Sequence, residues 1–194
     1  MPVSNPTAQV RVAVIVGSAR DGRLAPQVAQ WFLDRLGQRA DMVTDVVDVA
    51  SASMPDSLAA TDPAVVSLRG RLAAADAFVV VAPEYNRSIP GPLKTLIDCY
   101  NAEWQAKPVA FVSYGLSLSG GVRAVEHLRQ IFGEFHCVGM KDSVLFPRIM
   151  QHFDGEGTFA PEPASDSAVK LMLDQLAWWA CALRDARTLR PYGG

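Results

Sequence analysis

Short apolar runs alternate along the chain with segments in which apolar residues recur every three or four positions. The runs are rich in β-branched residues and predict buried strands, whereas the helical spacing predicts amphipathic helices. The predicted strands are residues 10–16, 43–49, 77–82, 108–113 and 137–146, the last interrupted near Gly139. The predicted helices are residues 25–36, 63–75, 90–100, 121–132 and 165–183. This alternation predicts an α/β fold, a doubly wound five-stranded parallel sheet with helices on both faces.

Two longer stretches follow neither pattern. Residues 50–61 predict a loop, and residues 148–164 carry glycines and prolines that predict an irregular segment, serving as a lid or a dimer arm. No linker, internal repeat or low-complexity tract separates two cores. Because 194 residues match the usual size of one domain, we expect residues 1–194 to form a single domain.

Composition excludes several classes of function. Apolar residues make up 49% of the chain and charged residues 20%, which predicts a packed core. The formal net charge is −2, from 18 Lys and Arg against 20 Asp and Glu, with no block of like charge, so we expect no nucleic-acid or membrane partner. The apolar runs are too short to cross a bilayer, and no signal peptide is recognisable, so we expect a cytoplasmic protein. Three scattered cysteines and three scattered histidines predict no disulfide framework and no metal site.

Candidate chemistry lies in the segments that follow three of the predicted strands. Ligands of open parallel sheets bind outside the carboxyl ends of the strands. We name the segments loop one (residues 17–23), loop three (residues 83–91) and loop four (residues 113–121). All three carry glycines and polar side chains in unusual density.

Loop one has the chemistry of a phosphate site. Gly17 precedes a helix start with free backbone N–H groups, Ser18 offers a hydroxyl, and Arg20 and Arg23 offer guanidinium groups suited to phosphate oxygens. The dinucleotide pattern G-x-G-x-x-G is absent, and no acidic residue follows the second strand in the required context; Asp48 is the nearest candidate. A monophosphate therefore fits better than a pyrophosphate.

Loop three follows the most apolar strand and predicts contact with a planar ring. Pro83 ends that strand, and Glu84 follows it directly. Tyr85 offers a flat apolar face, and the amide of Asn86 can both donate to and accept from the polar edge of a ring.

Loop four ends in Gly120 and Gly121, which allow the backbone to approach a ligand closely. An alternative chemistry is open here. Ser119 approximates the nucleophile of the G-x-S-x-G elbow, and Asp142 and His152 follow in the order of an α/β-hydrolase triad. Ser117 stands where the first glycine of the elbow belongs, so the hydrolase is a minor alternative.

Together, the three loops resemble the NAD(P)H-dependent FMN reductase family of flavodoxin-like proteins, which includes quinone, chromate and azo-dye reductases. The motifs are G-S-x-R after the first strand, P-E-Y-N followed by S-x-P-G-x-L-K-x-x-I-D after the third, and S-x-G followed by G-G-x-R-A after the fourth. The resemblance spans residues 10–146 and implies the flavodoxin-like fold. The middle motif is the most specific of the three.

The resemblance also implies the roles of individual residues. Ser18 and Arg20 would bind the FMN phosphate together with the backbone of loop one, including Gly17. Arg23 stands where many members have a serine, and we interpret it as a replacement phosphate ligand. Loop three would contact the isoalloxazine ring through Pro83, Glu84, Tyr85 and Asn86. Loop four would line its other edge through Ser113, Tyr114, Gly115, Gly120 and Gly121.

The implied activity is electron transfer from NADPH or NADH through FMN to a small-molecule acceptor such as free flavin, a quinone, a metal oxyanion or an azo compound. We expect ping-pong turnover without a catalytic side chain, because the flavin carries the chemistry. The resemblance further implies a homodimer or homotetramer and allows a partner flavin-dependent monooxygenase. A flavodoxin-like electron carrier that does not oxidise NAD(P)H is the main alternative.

Overall fold

A computed structural model of the chain describes residues 9–193. The strands are β1 (Val10–Val16), β2 (Met42–Asp48), β3 (Ala77–Pro83), β4 (Pro108–Tyr114), β5 (Val138–Gly139) and β6 (Val144–Phe146). The helices are α1 (Ala25–Leu36), α2 (Val49–Ala52), α3 (Pro63–Ala74), α4 (Gly91–Asp98), α5 (Val122–Glu134) and α6 (Ala164–Leu189).

All strand pairs are parallel, and the sheet runs in the order β2-β1-β3-β4-β5. β6 also pairs with β4, further along the strand than β5. The fifth strand position is thus filled by two short strands, as the predicted interruption near Gly139 indicated. The predicted doubly wound α/β fold is confirmed.

The two central strands explain why the sheet is covered on both faces. Every residue of β3 and of β4 is buried. Because side chains alternate along a strand, Val79 and Val81 enter the core beneath α1 and α6, whereas Phe78 and Val80 enter the core beneath α3, α4 and α5.

The boundaries differ from the predictions at several places. Residues 49–52, at the junction of the predicted second strand and loop, form the helical turn α2, because the Asp48 carboxylate accepts a hydrogen bond from the Ala50 N–H. The last helix continues to Leu189, beyond the predicted end at residue 183. In the part of the chain that the structure describes, no helix has the length and apolar character needed to cross a bilayer.

Residues 148–164 pack on the body of the protein. Ile149–His152 form a 3₁₀ helix, and Phe153 and Phe159 are bridged in antiparallel fashion. Phe159 is buried against the rings of Trp31 and Phe146. A role of this segment as a lid or dimer arm stays a prediction, as does the single-domain assignment of residues 1–194.

Candidate functional site

A cleft of about 730 Å³ opens at the carboxyl ends of the strands, where loops one, three and four meet. It is lined by Arg20, Asp21, Gly22, Arg23, Leu24, Pro83, Glu84, Tyr85, Asn86, Tyr114, Gly115, Leu116, Ile149 and Met150. Eight of the thirteen predicted site residues are among them. The other five, Gly17, Ser18, Ser113, Gly120 and Gly121, are buried residues outside the cleft lining.

Loop one presents unpaired donors to the cleft. Arg20 and Arg23 close a turn through the Arg23 N–H and the Arg20 carbonyl, at 3.1 Å, and Gly22 takes a φ of 65° in this turn. The backbone N–H groups of residues 18–22 have no acceptor within residues 9–193. The Arg20 side chain is exposed and makes no ion pair or hydrogen bond there. Arg20 and Gly22 line one end of the cleft, so this end of the cleft has hydrogen-bond donors that are available to an anion.

Arg23, in contrast, is held by its neighbours. Its two terminal nitrogens donate to the two oxygens of Asp48 at 2.5 and 2.7 Å, and one of them also donates to the Ser18 carbonyl at 2.5 Å. The hydrogen bond with Asp48 raises the pKa of Arg23 despite partial burial. Burial alone would raise the pKa of Asp48, but the bonds from Arg23 and from the Ala50 N–H outweigh it and lower this pKa. Asp48, the nearest acidic candidate noted in the sequence, therefore holds loop one in place.

Ser18 and Gly17 form the base of loop one. The Ser18 side chain is fully buried, and its hydroxyl lies 3.0 Å from the hydroxyl of Tyr85. Gly17 donates its N–H to the Val81 carbonyl at 2.8 Å, and a Cβ on it would lie 2.8 Å from a methyl group of Leu93. Ser18 therefore connects loop one to loop three, and Gly17 allows loop one to pack closely on α4.

Glu84 connects loop three to loop four. Its carboxylate accepts from the Arg123 guanidinium at 2.8 Å, from the Arg123 N–H at 3.2 Å and from the Ser119 hydroxyl at 3.2 Å. Its own N–H donates to the Tyr114 carbonyl at 2.8 Å. Burial alone would raise the pKa of Glu84, but the bonds from Arg123 and Ser119 outweigh it, so the pKa is lowered and the carboxylate is charged at neutral pH.

Loop three turns sharply after Glu84. Tyr85 and Ser88 exchange two backbone hydrogen bonds of 2.9 and 2.8 Å around Asn86 and Arg87. Both central residues have positive φ, 47° for Asn86 and 70° for Arg87, as a tight primed turn requires. The turn places Tyr85 and Asn86 in the cleft wall and leaves Arg87 exposed beside them.

The glycines of loop four serve close packing beside the cleft. Gly121 has a φ of 93°, and a Cβ on it would lie 2.1 Å from the hydroxyl of Ser113. That hydroxyl is itself buried and donates to the Ala82 carbonyl at 2.7 Å. Gly120 has a φ of 59°, and a Cβ on it would lie 2.9 Å from the backbone nitrogen of Pro147. Tyr114 lines the cleft at the end of β4, and burial raises the pKa of its hydroxyl well above the ordinary value.

The segment after β6 completes the cleft and was missed from the sequence. Ile149 donates its N–H to the Gly115 carbonyl at 3.0 Å, which places Ile149 and Met150 against loop four. Leu116 lines the cleft beside them with 76% of its surface exposed. One available signal was position, since these residues follow the last strand at the same carboxyl edge as the other loops.

The hydrolase triad is not assembled. Ser119 contacts Ser117 and Glu84, whereas Asp142 contacts Gln175. The ring of His152 bonds to the Pro147 carbonyl. Within residues 9–193, no hydrogen bond joins any two of the three triad candidates, so the arrangement lacks the base and orienting contact that a serine nucleophile needs.

The residues present suit FMN. Unpaired N–H groups and Arg20 supply donors for a monophosphate, and the cleft extends from them to Tyr85, Tyr114 and the apolar side chains of Leu116 and Met150. Such a combination of charged end and partly apolar wall matches a phosphorylated molecule with a planar ring.

Comparisons with known proteins agree with this chemistry. The chain is 31% identical to a probable NADPH:quinone oxidoreductase 2 from Oryza sativa subsp. japonica, covering 90% of this chain and 91% of the relative. It is 28% identical to a 2-hydroxy-1,4-benzoquinone reductase from a Burkholderia species, covering 92% and 98%. It shares its fold with the flavoenzyme NAD(P)H:(acceptor) oxidoreductase FerB from Paracoccus denitrificans, with a TM-score of 0.69, 24% identity and coverage of 88% and 97%.

The family assignment rests on a longer match than any single motif. The sequence profile of the NADPH-dependent FMN reductases matches residues 10–151, which contain every strand and all the residues that line the cleft. The chain belongs to the NADPH-dependent FMN reductase family.

Proposed function

We propose that the protein is an FMN-dependent reductase that takes electrons from NAD(P)H and delivers them to a small-molecule acceptor, of which a quinone is the first to test. The observation that carries the proposal is the cleft itself. Unpaired hydrogen-bond donors suited to a phosphate lie at one end, on loop one. The ring-binding candidates Tyr85 and Tyr114 lie on the neighbouring walls.

The family relationship confirms the expected cofactors, FMN and NAD(P)H. Arg20 and the N–H groups of loop one would hold the phosphate, with Arg23 beside them, and Tyr85, Asn86 and Gly115 would lie along the ring. When bound, FMN takes up hydride from NAD(P)H and passes electrons on, so the chain itself needs no acid–base pair. The residues of the chain bind the cofactor, orient it and exclude water from its buried side.

The contacts around the cleft favour a preformed binding site. The Ser18–Tyr85 hydrogen bond connects loops one and three, and the Ser119–Glu84 hydrogen bond connects loops four and three. The three loops are therefore fixed relative to one another before a ligand arrives. Preorganisation of this kind lowers the entropic cost of binding.

Replacement of Arg20 by alanine tests the phosphate site. Since Arg20 is the unpaired cation of loop one, its loss should weaken FMN binding by at least about tenfold, the effect of one charge-assisted hydrogen bond. The measurement is flavin content after purification together with titration of the apoprotein by quenching of FMN fluorescence. Arg190→Ala is the matched control, because Arg190 is also exposed and unpaired but lies at the end of α6. Equal affinities of the two variants would remove Arg20 from the site.

Turnover tests the rest of the proposal. NAD(P)H and the acceptor would visit the same side of the cleft, beside Tyr85 and Tyr114, one after the other. This order of binding predicts parallel lines in double-reciprocal plots with a quinone acceptor. Converging lines would refute a binding position shared by NAD(P)H and the acceptor. A panel of free flavin, quinones, chromate and azo compounds with NADH and NADPH identifies the acceptor.

The electron-carrier alternative makes the opposite prediction. A flavodoxin-like carrier would bind FMN but would not oxidise NADH or NADPH with any acceptor of the panel. The net charge of −2 favours the reductase, because a carrier that docks on basic partners is expected to be strongly acidic.

We also propose a homodimer or homotetramer, a cytoplasmic location and, where free flavin is the acceptor, a partner flavin-dependent monooxygenase. The exposed Trp178 and Leu171 give α6 an apolar outer face that an interface can cover. Gel filtration with light scattering measures the oligomeric state, and a monomer at micromolar concentration would refute it.

A further inference from the structure

Arg23 lines the cleft, but most of its hydrogen-bonding capacity is used within the protein. Two of its side-chain N–H groups donate to the Asp48 carboxylate at 2.5 and 2.7 Å, and a third donates to the Ser18 carbonyl at 2.5 Å. The side chains of Arg23 and Asp48 are only 20% and 28% exposed. Arg23 therefore offers an incoming phosphate less than Arg20 does, whose exposed side chain makes no ion pair or hydrogen bond within residues 9–193.

Asp48 is itself fixed to the sheet. It is the last residue of β2 and lies opposite Val16, the last residue of β1, in the parallel pairing. Its carboxylate also accepts a hydrogen bond from the Ala50 N–H at 3.0 Å. Because loop one begins directly after Val16, Asp48 connects the guanidinium group of Arg23 to a fixed point beside the start of that loop.

Arg23 in turn holds two carbonyl groups of loop one. Its guanidinium group donates to the Ser18 carbonyl, and its backbone N–H donates to the Arg20 carbonyl at 3.1 Å. In a trans peptide unit, as all are within residues 9–193, the C=O and N–H bonds point in opposite directions. The N–H groups of Ala19 and Asp21 belong to these two peptide units and therefore point away from Arg23. Neither has an acceptor in the described part of the chain, so both can donate to a phosphate.

We propose that Asp48 and Arg23 are positioning residues of the phosphate site, which orient the backbone donors of loop one and do not themselves bind the phosphate. The inference rests on the proposed function, because it concerns the residues that prepare the site for FMN. In this arrangement Asp48 acts through Arg23, and Arg20 is the cation that contacts the phosphate. Donors that are already oriented bind more tightly, because the loop loses less conformational freedom when the ligand arrives.

The local charges distinguish this role from simple electrostatics. Loop one and Asp48 together carry two positive groups, Arg20 and Arg23, and two negative groups, Asp21 and Asp48. Asp48→Asn removes one negative charge, so electrostatic attraction of the phosphate by itself predicts tighter FMN binding. Loss of the positioning contacts predicts weaker binding. The sign of the change in affinity therefore separates the two effects.

The test titrates the apoprotein with FMN and follows the quenching of flavin fluorescence. We expect Asp48→Asn to weaken FMN binding by about tenfold, the effect of losing a hydrogen bond between charged groups. Arg23→Lys keeps the positive charge but lacks the planar fork that makes the three contacts, so it should weaken binding to a similar extent. Because the two residues act through one another, the double variant should lose no more affinity than the weaker-binding single variant.

Asp45→Asn is the matched control. Asp45 also lies on β2 and accepts two hydrogen bonds from Arg71, which donates in addition to the Val46 carbonyl. These three residues lie outside the cleft lining, so FMN affinity should stay at the wild-type value. Phosphorus NMR of protein saturated with FMN adds a readout that a general loss of stability does not move. The resonance of bound FMN should shift in Asp48→Asn and stay in place in Asp45→Asn.

Several outcomes would overturn the inference. Tighter or unchanged FMN binding by Asp48→Asn, or an unmoved phosphorus resonance, would remove Asp48 from the positioning of loop one. Wild-type affinity in Arg23→Lys would make Arg23 a phosphate ligand that acts by its charge. Additive losses in the double variant would show that the two residues do not act through one another. An equal loss of affinity in Asp45→Asn would assign the effect to general destabilisation.

Failure of the proposed function gives a different result. A wild-type protein that binds no FMN, or that oxidises neither NADH nor NADPH, refutes the proposed function before any variant is compared. A wild-type protein with bound FMN and normal turnover, combined with full FMN affinity in Asp48→Asn and Arg23→Lys, refutes only the positioning role.

Discussion

The ion pair between Glu84 and Arg123 should respond asymmetrically to removal of its two partners. The Glu84 side chain is 8% exposed, whereas the Arg123 side chain is 39% exposed. Arg123→Met leaves a buried carboxylate with only the residue-123 N–H and the Ser119 hydroxyl, both at 3.2 Å. Glu84→Gln leaves a guanidinium group that water can reach. The cost of an unpaired charge is set by desolvation, so the first change should be the more harmful.

The magnitudes follow from the contacts. A hydrogen bond to a charged group contributes about 1.5–3 kcal/mol, and partial exposure of Arg123 places this bond near the lower end. We expect Arg123→Met to lower the free energy of unfolding by about 2 kcal/mol and Glu84→Gln by about 1 kcal/mol or less. The exposed pair Lys94–Asp98 on α4 is the control, and Lys94→Met should cost only a few tenths, roughly 0.3–0.5 kcal/mol.

Urea unfolding of the apoprotein, followed by circular dichroism, measures these differences. The pH dependence supplies a second check, because the pKa of Glu84 is lowered from 4.5 in the folded protein. Its charge therefore stabilises the fold at neutral pH, and this contribution is lost as the pH falls from about 4.5 through the folded pKa. The difference between wild type and Arg123→Met should shrink in that range. A Glu84→Gln variant as unstable as Arg123→Met at pH 7 would refute the reasoning.

Two further perturbations test the surroundings of the site and the opposite edge of the sheet, where Lys107 precedes β4. Gly121→Ala should destabilise the apoprotein by at least about 2 kcal/mol, since the new Cβ would lie 2.1 Å from the Ser113 hydroxyl and residue 121 has a φ of 93°. Gly155→Ala is the control, because a Cβ there would lie in open space, and its stability in the same urea unfolding experiment should be close to that of the wild type. Burial lowers the pKa of Lys107 from 10.5 to about 8, so the unfolded chain binds more protons between these values and the Lys107 contribution to stability should rise with pH. The free energy of unfolding of the wild type should therefore rise relative to that of Lys107→Met between pH 8 and 10.5. A difference in urea titrations that stays constant over this range would contradict the lowered pKa of Lys107.

Local sequence determined the elements and the location of the site. The apolar runs at residues 77–82 and 108–113 predicted buried strands, and every residue of β3 and of β4 is buried. Helix α3 begins at Pro63, the predicted start, where the Asp62 carboxylate accepts from the Ala64 N–H. These features depend on residues a few positions apart, so the local sequence is sufficient to predict them. The motifs after three strands likewise identified the family and its cofactor.

Only the tertiary structure decided what each site residue contacts. Arg23 lines the cleft, and its partner Asp48, which no sequence pattern indicated, lies 25 residues away at the end of the neighbouring strand. Glu84 is likewise held by Arg123, 39 residues further along the chain. Such pairs form because parallel strands bring their carboxyl ends to one edge, and no local pattern specifies which side chains then meet.

Burial also separated the residues that line the cleft from those beneath it. In the sequence, Ser18 and Ser113 are indistinguishable from exposed serines that could contact a ligand. In the structure, each is buried and hydrogen-bonded within the protein. Met150 belongs to no motif and nevertheless lines the cleft with 58% of its surface exposed. Exposure depends on how the loops pack on one another, and that packing involves contacts between residues far apart in sequence.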